Sequence, residues 1–79
     1  MAFFTKNNVT NITKYALFVV SDEQPDGVCV TGEVRSRDAL ADELEAHMYR
    51  ARQYGWTLLK YKRGHYAIYD DVKFEIWEL

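Results

Sequence analysis

An apolar stripe in the middle of the chain predicts one amphipathic helix, from about residue 37 to residue 54. Its members recur three or four residues apart and are Leu40, Leu44, Met48 and Ala51. Residues with this spacing share one side of an α-helix, so the stripe predicts a buried face. Ser36 is the predicted N-cap, and Gly55 is the predicted left-handed residue after the last turn.

Two strands are predicted before the helix. Residues 14–20 are apolar on both faces, which is typical of a central strand. Residues 28–34 place valines on one face and more polar side chains on the other, which is typical of a strand with one solvated face. Pro25-Asp26-Gly27 lies between them and predicts a hairpin turn, because proline presets φ and glycine accepts a positive φ.

A second hairpin is predicted after the helix, from residues 56–62 and 66–69 around Arg63-Gly64. A two-residue turn would pair Lys62 with His65, Tyr61 with Tyr66, Leu59 with Ile68 and Leu58 with Tyr69. The side chains that this register turns towards the helix are Leu59, Tyr61, Tyr66, Ile68, Val72, Phe74 and Ile76. Those that it turns away are Trp56, Leu58, Lys60, Lys62, His65, Tyr69 and Trp77. A longer loop would shift the register.

The remaining segments complete the predicted fold. Asp70-Asp71 either bends one long strand or turns the chain into a fifth strand. The first thirteen residues could add an edge strand, through Phe3, Phe4, Val9 and Ile12. The predicted fold class is α+β, with the order β-β-α-β-β: a four- to five-stranded antiparallel sheet with one helix packed on one face. We expect a single domain over residues 1–79.

Composition supports a folded protein of a reducing compartment. With 48% hydrophobic residues and a net charge of −2, the chain lies far from the composition of disordered proteins. The single cysteine, Cys29, cannot form an internal disulfide, which favours a reducing cytosol or nucleus over a small secreted scaffold. No apolar run approaches the roughly 20 residues of a membrane span, and the first residues do not resemble a signal peptide. We expect a cytoplasmic protein that does not bind membranes.

Charge is separated along the chain. Residues 21–45 hold eight acidic residues against two arginines, whereas residues 46–66 hold five basic residues and no acidic one. We name residues 46–66 the basic aromatic block, because its cations are interleaved with Tyr49, Tyr54, Trp56, Tyr61 and Tyr66. Opposed charge patches orient an encounter between molecules, so the pattern predicts docking onto a partner.

The face of the sheet away from the helix is the predicted partner-binding surface. One helix covers one face, so large apolar side chains on the other would form an exposed patch. The predicted partner-binding residues are Trp56, Lys60, Lys62, His65, Tyr69 and Trp77. A second, acidic contact is predicted at Asp38, Asp42, Glu43 and Glu45, unless Asp38, Asp42 and Glu43 belong to a solvated helix face that complements the helix dipole. The sheet face could also form a homodimer.

A nucleic-acid binder is the alternative interpretation. The predicted hairpin at 60–66 interleaves cations and rings, as proteins do that neutralise phosphates and stack on bases. The residues that would serve this function are Arg50, Lys60, Lys62 and Arg63. A pI near 5.6 disfavours it, because nucleic-acid-binding domains usually carry a net basic footprint. A solvated strand edge defended by lysines explains the same residues structurally.

The sequence offers little for catalysis or metal binding. The candidates are His47, His65 and Cys29, and no spacing ties them into a nucleophile pair or a zinc site. A histidine beside an apolar stripe is typically packed, and a lone strand cysteine is typically small filler. We therefore expect no enzyme activity, no cofactor and no metal.

The layout carries a family resemblance. It rests on the strands at 14–20 and 28–34, the helix opening Ser36-Arg37-Asp38-Ala39-Leu40 and the helix exit Tyr54-Gly55-Trp56-Thr57-Leu58. This arrangement resembles small phage-encoded proteins that inhibit host machinery, such as anti-CRISPR proteins and inhibitors of host RNA polymerase. The resemblance is one of layout and assigns no residue a role. It implies a stoichiometric inhibitor in the host cytoplasm that occupies a surface of a larger protein or complex.

Overall fold

A computed structural model describes residues 13–79 as an antiparallel sheet with a helix across one face. The elements in chain order are β1 (Tyr15–Ser21), β2 (Val28–Cys29), α1 (Asp38–Gln53), β3 (Leu58–Lys62), β4 (Tyr66–Tyr69) and β5 (Val72–Glu78). The strand order is β2-β1-β5-β4-β3, and every neighbouring pair is antiparallel. The predicted α+β fold class is confirmed, with five strands. The predicted N-terminal edge strand lies outside the described residues.

The core lies between α1 and the sheet. Its buried members are Leu17, Leu40, Leu44, Ala51, Ala67, Tyr69, Phe74 and Ile76. The helix contributes its predicted stripe, with Met48 partly buried at the margin. Each fully buried aliphatic side chain contributes roughly 1.5–3 kcal/mol to folding, so Leu17, Leu40 and Leu44 are the main anchors of the helix on the sheet.

The two ends of α1 are fixed by different means. At the start, Arg37 and not the predicted Ser36 is the N-cap residue, although the Ser36 hydroxyl still accepts a hydrogen bond from the Ala39 N–H at 3.2 Å. The guanidinium of Arg37 donates to the carbonyl oxygens of Gly64 at 3.3 Å and Ile76 at 3.2 Å. At the end, Gly55 adopts φ +84°, as predicted for the residue that stops the helix.

The second strand is much shorter than predicted. Pairing with β1 is regular at Val28 and Cys29, but it shifts before it resumes at an isolated bridge between Val34 and Tyr15. In between, the Leu17 N–H donates to the side-chain oxygen of Thr31 at 3.0 Å. A side chain thus replaces a backbone acceptor, which removes the need for a continuous ladder over residues 28–34.

The predicted register of β3 and β4 is wrong by one residue next to the turn. The loop has three residues, Arg63, Gly64 and His65, so Lys62 pairs with Tyr66. Gly64 has φ +76°, and the His65 N–H donates to the Lys62 carbonyl at 2.9 Å. The alternative prediction, a longer loop, is therefore the correct one.

This one-residue difference in register reverses which side chains of β4 face the helix. Ala67 and Tyr69 point towards the helix, whereas Tyr66 and Ile68 point away from it, because side chains alternate along a strand. An irregularity between Leu58 and Lys60 leaves Leu59 as an extra residue. The bulge restores the predicted pairing of Leu58 with Tyr69 and brings Leu58 to the helix side.

Asp70-Asp71 forms the turn between the last two strands. The two aspartates connect β4 to β5, which runs back beside β4 and then pairs with β1 along its whole length. They therefore begin a fifth strand and do not bend a single long one. Within residues 13–79, α1 is the one helix, and it is neither long nor apolar enough to cross a membrane.

Candidate functional site

A groove of about 470 Å³ runs between α1 and β3. Its lining residues are Glu45, Met48, Tyr49, Arg52, Trp56, Leu58, Tyr61 and Tyr69. We name it the aromatic groove. Its volume falls in the range of roughly 300–1,000 Å³ that is typical of ligand sites, and its lining combines apolar surface with a few polar groups as such sites do.

The aromatic groove has a buried floor and exposed walls. Tyr69 forms the floor, with only 4% of its surface exposed, and burial raises the pKa of its phenol. The walls carry Tyr49, Trp56 and Tyr61, whose surfaces are 64%, 43% and 38% exposed. Tryptophan and tyrosine are the side chains most enriched at binding hot spots, so the walls offer strong anchoring groups.

Trp56 is held in place by the chain around it. The turn at Gly55 lets the Trp56 N–H donate to the Ala51 carbonyl at 3.0 Å, which fixes the backbone directly after the helix. The indole meets the Tyr69 ring edge to face at a centroid distance of 5.9 Å, and Tyr69 meets Phe74 of the core in the same manner. Such contacts orient the ring before a partner arrives, which reduces the entropy lost on binding.

An ionic cluster closes one end of the aromatic groove. The Glu45 carboxylate accepts hydrogen bonds from the Tyr61 hydroxyl at 2.9 Å and from the Arg63 guanidinium at 2.6 Å. These two bonds hold the pKa of Glu45 below its usual range. Burial, together with the bond that Tyr61 donates to Glu45, raises the pKa of Tyr61. The cluster links α1 to β3 and holds the Tyr61 ring at the wall.

The other tryptophan lies on the opposite face of the sheet. Trp77 stacks on Phe18 with a centroid distance of 4.1 Å and an interplanar angle of 15°. Its indole N–H donates to the Glu75 carboxylate at 2.9 Å. The turn before β2 covers its outer edge, since a Cβ atom at Gly27 would lie 2.8 Å from the ring. Trp77 is half-buried by these neighbours.

The predicted partner-binding residues do not form one surface. Trp56 and Tyr69 belong to the aromatic groove, while Lys60, Lys62 and Trp77 point to the other sheet face and His65 lies in the turn before β4. The prediction that Tyr69 is exposed is wrong, because the three-residue loop turns it into the core. Trp56, predicted for the far face of the sheet, lines the groove on the helix side.

The predicted acidic contact is also divided. Asp42 and Glu45 both face Arg63, at 3.9 Å and 2.6 Å. Glu43 lies on the other flank of α1, in a depression that it shares with residues 30–34. Asp38 is exposed in the first turn, where a negative charge complements the helix dipole. Half of the set therefore serves contacts within the chain.

The predicted nucleic-acid set is spread in the same way. Lys60 and Lys62 share the sheet face with Tyr66, whose ring centre lies 5.9 Å from the Lys60 ammonium. Arg63 points to the helix and binds Glu45. Arg50 lies two residues before Arg52 and so roughly 200° around the helix from the groove side. The four cations do not line one path for a phosphate backbone.

Sequence reasoning missed several groove residues. Those without a predicted role in partner binding are Met48, Tyr49, Arg52 and Tyr61, whereas Leu58 was predicted to lie on the partner-binding face away from the helix. The signal that contained the four is the basic aromatic block, which spans them all. The block marks the right segment, but deciding which of its rings face the groove required the register of β3 and the direction of the chain after Gly55.

The candidate catalytic and metal-binding residues have structural surroundings. His47 stacks on Phe74 at a centroid distance of 5.2 Å, and burial lowers its pKa, which favours the neutral ring. Cys29 is exposed, and its thiol donates to the Thr31 carbonyl at 3.0 Å. Within residues 13–79, no three His, Cys, Asp or Glu side chains are grouped so that they could hold a metal ion.

By fold, the described chain is a small α+β domain built on a five-stranded antiparallel sheet. Comparison with models of protein families, with curated proteins and with solved structures finds no match.

Proposed function

We propose that this protein is a non-enzymatic binding module that occupies a surface of another protein through the aromatic groove. The observation that carries the proposal is the exposed Trp56 ring, held edge to face against the buried floor residue Tyr69. The layout resemblance to small phage-encoded inhibitors extends the proposal: the partner would be a larger host protein or complex, blocked by occupancy in the host cytoplasm.

The energetics favour the groove over the other surfaces as the main contact. A partner side chain that covers Trp56, Tyr49 and Tyr61 removes aromatic surface from water, and roughly 25 cal/mol is gained per Å² of apolar surface buried. Trp56 is already oriented by Gly55 and Tyr69, and Tyr61 by Glu45, so little further ordering of these two rings is required. Nucleic-acid binding has less support, since Arg50 and Arg63 lie away from Lys60 and Lys62.

Capture experiments with Trp56→Ala test the proposal. Tagged full-length chain is incubated with lysate of its native host, and proteins retained by the wild type are identified by mass spectrometry. Each is then purified and titrated by calorimetry. If Trp56 is a hot spot, Trp56→Ala weakens binding by about 2 kcal/mol or more.

Val28→Ala is the matched control. Val28 is 42% exposed, close to the value for Trp56, but it lies in β2 at the opposite edge of the sheet. It should leave binding unchanged, and circular dichroism establishes that both variants are folded. Equal binding by wild type and Trp56→Ala would exclude the aromatic groove as the docking surface.

A further inference from the structure

We propose that the partner segment is an extended peptide that pairs with β3 as an additional strand. It inserts apolar side chains into the aromatic groove and places acidic side chains beside Lys60 and Lys62. This inference rests on the proposed function, since it names the chemistry of the partner. It goes further by specifying backbone conformation, pattern and charge.

The first support is the position of β3 at the edge of the sheet. One side of its backbone pairs with β4, and no strand among residues 13–79 pairs with the other. All five of its residues are exposed. The N–H and C=O groups along such an edge are a template for another strand, and peptide recognition by strand addition uses this template.

The second support is the alternation of side chains along β3. Tyr61 points to the aromatic groove, whereas its neighbours Lys60 and Lys62 point to the opposite face. A strand that pairs with this edge alternates in the same way. Every second residue of the peptide would therefore meet the groove, and the residues between would meet the lysines.

The third support is charge. Among residues 13–79, Lys60, Lys62 and Arg52 form no ion pair, whereas Arg63 is already bound by Glu45. Opposite charges on adjacent strands attract, so acidic residues suit the positions beside the two lysines. Arg52 adds a positive charge on the helix side of the groove.

The same charges disfavour a second copy of this chain. An antiparallel pairing of β3 with its own copy would bring Lys60 and Lys62 next to the equivalent lysines. Like charges on facing strands repel, so self-pairing is opposed where an acidic peptide is attracted. The lysines therefore select against the chain itself and in favour of a partner of opposite charge.

The bulge in β3 limits how much backbone pairing can contribute to the affinity for a peptide. The irregularity at Leu59 interrupts the regular pairing of β3, which leaves residues 60–62 as the continuous edge. A strand paired over so few residues forms few backbone hydrogen bonds. Apolar insertion beside Trp56 and Leu58 must then provide most of the affinity, and the lysines chiefly set specificity and the association rate.

A peptide library tests the proposal. Random twelve-residue peptides displayed on yeast are selected for binding to the full-length wild-type chain. The expected result is enrichment of sequences that alternate apolar residues with Asp or Glu. A second selection on the Lys60→Glu/Lys62→Glu variant should instead enrich alternation of apolar residues with Lys or Arg.

Variants then assign the contacts for a synthetic copy of the most enriched peptide. Trp56→Ala should weaken its binding by about 30-fold or more, as expected for a hot spot. Lys60→Glu/Lys62→Glu should weaken binding and reverse its salt dependence. Lys73→Glu is the control, because Lys73 lies on the same sheet face as Lys60 but in β5, and pairs with Ile68 of β4. It should have a clearly smaller effect than the double variant.

Hydrogen exchange distinguishes strand pairing from other ways to fill the groove. Bound peptide should slow the exchange of those amides within residues 60–62 that point away from β4, whereas a peptide helix in the groove would leave their exchange unchanged. Enriched peptides without alternation, or unchanged exchange in β3, would overturn the inference. If lysate partners are still lost with Trp56→Ala in that case, the proposed function stands; if they are retained, both fail.

Discussion

The two tryptophans of this chain lie in regions that differ in what remains for a partner to contact. Trp77 stacks on Phe18 at 4.1 Å, donates its N–H to Glu75 and lies under the turn at Gly27. Trp56 meets Tyr69 edge to face, lies beside Tyr54 and keeps 43% of its surface exposed at the rim of the aromatic groove. Trp77 is mostly covered by its own chain, whereas Trp56 keeps exposed surface that a partner can contact.

The difference shows why residue type alone does not locate a binding surface. Both tryptophans are large amphipathic rings of the kind that anchors interfaces. Trp77 joins β5 to β1 and to the turn before β2, so its removal should mainly lower the free energy of unfolding. Trp56 follows the end of α1, where its removal leaves the core cluster complete.

The largest effect is expected from replacing Trp77. Trp77→Ala should lower the free energy of unfolding by about 3 kcal/mol, near the low end for large aromatic residues because the ring is half-buried. Trp56→Ala should cost less than about 1 kcal/mol, because 43% of the residue's surface is already exposed and the core cluster does not include it. Urea unfolding followed by circular dichroism measures both. Equal losses would mean that the two rings play similar structural roles.

A smaller effect comes from two glycines with the same backbone conformation. Gly27 and Gly55 both have φ +84°, but a Cβ at Gly27 would meet Trp77 at 2.8 Å and a Cβ at Gly55 would meet nothing within 4 Å. Gly55→Ala should cost about 1 kcal/mol for the left-handed conformation alone. Gly27→Ala should cost roughly 1 kcal/mol more, because the Trp77 ring must move.

Repeating the glycine pair in the Trp77→Ala background isolates that contact. Without the ring, the additional cost of Gly27→Ala over Gly55→Ala should disappear, as a double-mutant cycle would show. A persistent difference would place the strain elsewhere in the turn before β2. In either case the measurement separates backbone conformation from the packing of Trp77.

Local signals in the sequence were sufficient for the helix and its C-terminal stop, and they placed its N-cap one residue too early, at Ser36 instead of Arg37. The stripe through Leu40 and Leu44 is buried as predicted, and Gly55 has the positive φ expected of a helix stop. These features depend on neighbours within a few residues. The turn at Gly27 is of the same kind, since its glycine also has a positive φ.

The strand registers required information that is not local. A positive φ at Gly64 suits both a two-residue and a three-residue loop, so Arg63-Gly64 did not determine the register. The extra loop residue turned Tyr69 into the core, where its ring packs on Phe74. Likewise, no sequence pattern predicts that the Thr31 hydroxyl, in place of a backbone carbonyl, accepts the hydrogen bond from the Leu17 N–H.

The candidate site was predictable as a segment but not as a surface. The basic aromatic block contains Tyr49, Trp56 and Tyr61, which all line the aromatic groove. Assigning them to one side required knowing that Leu59 is an extra residue and that β3 is the edge strand. The opposed charges were partly a fold feature, since Glu45 and Arg63 pair across α1 and β3.

The smallest effect on stability is expected at acidic pH, and it arises only on the groove side of the molecule. Hydrogen bonds from Tyr61 and Arg63 lower the pKa of Glu45 in the folded chain. The unfolded chain therefore binds this proton at higher pH, near the ordinary glutamate pKa of about 4.3. The stabilisation is complete above that pH, falls as pH decreases towards the folded pKa and is lost below it. The difference in free energy of unfolding between wild type and Glu45→Gln, measured by urea unfolding, should therefore decrease as the pH is lowered.

Glu33→Gln controls for the loss of one surface carboxylate. Glu33 pairs with Lys14 at 3.4 Å, in an exposed ion pair away from the groove, and such pairs contribute little. Its effect on unfolding should stay below that of Glu45→Gln at neutral pH, and the emission of Trp56 in a Trp77→Phe background should respond to Glu45→Gln alone. If both variants match wild type at every pH, the Glu45 cluster does not hold the wall of the aromatic groove, and the orientation of Tyr61 must come from packing against α1.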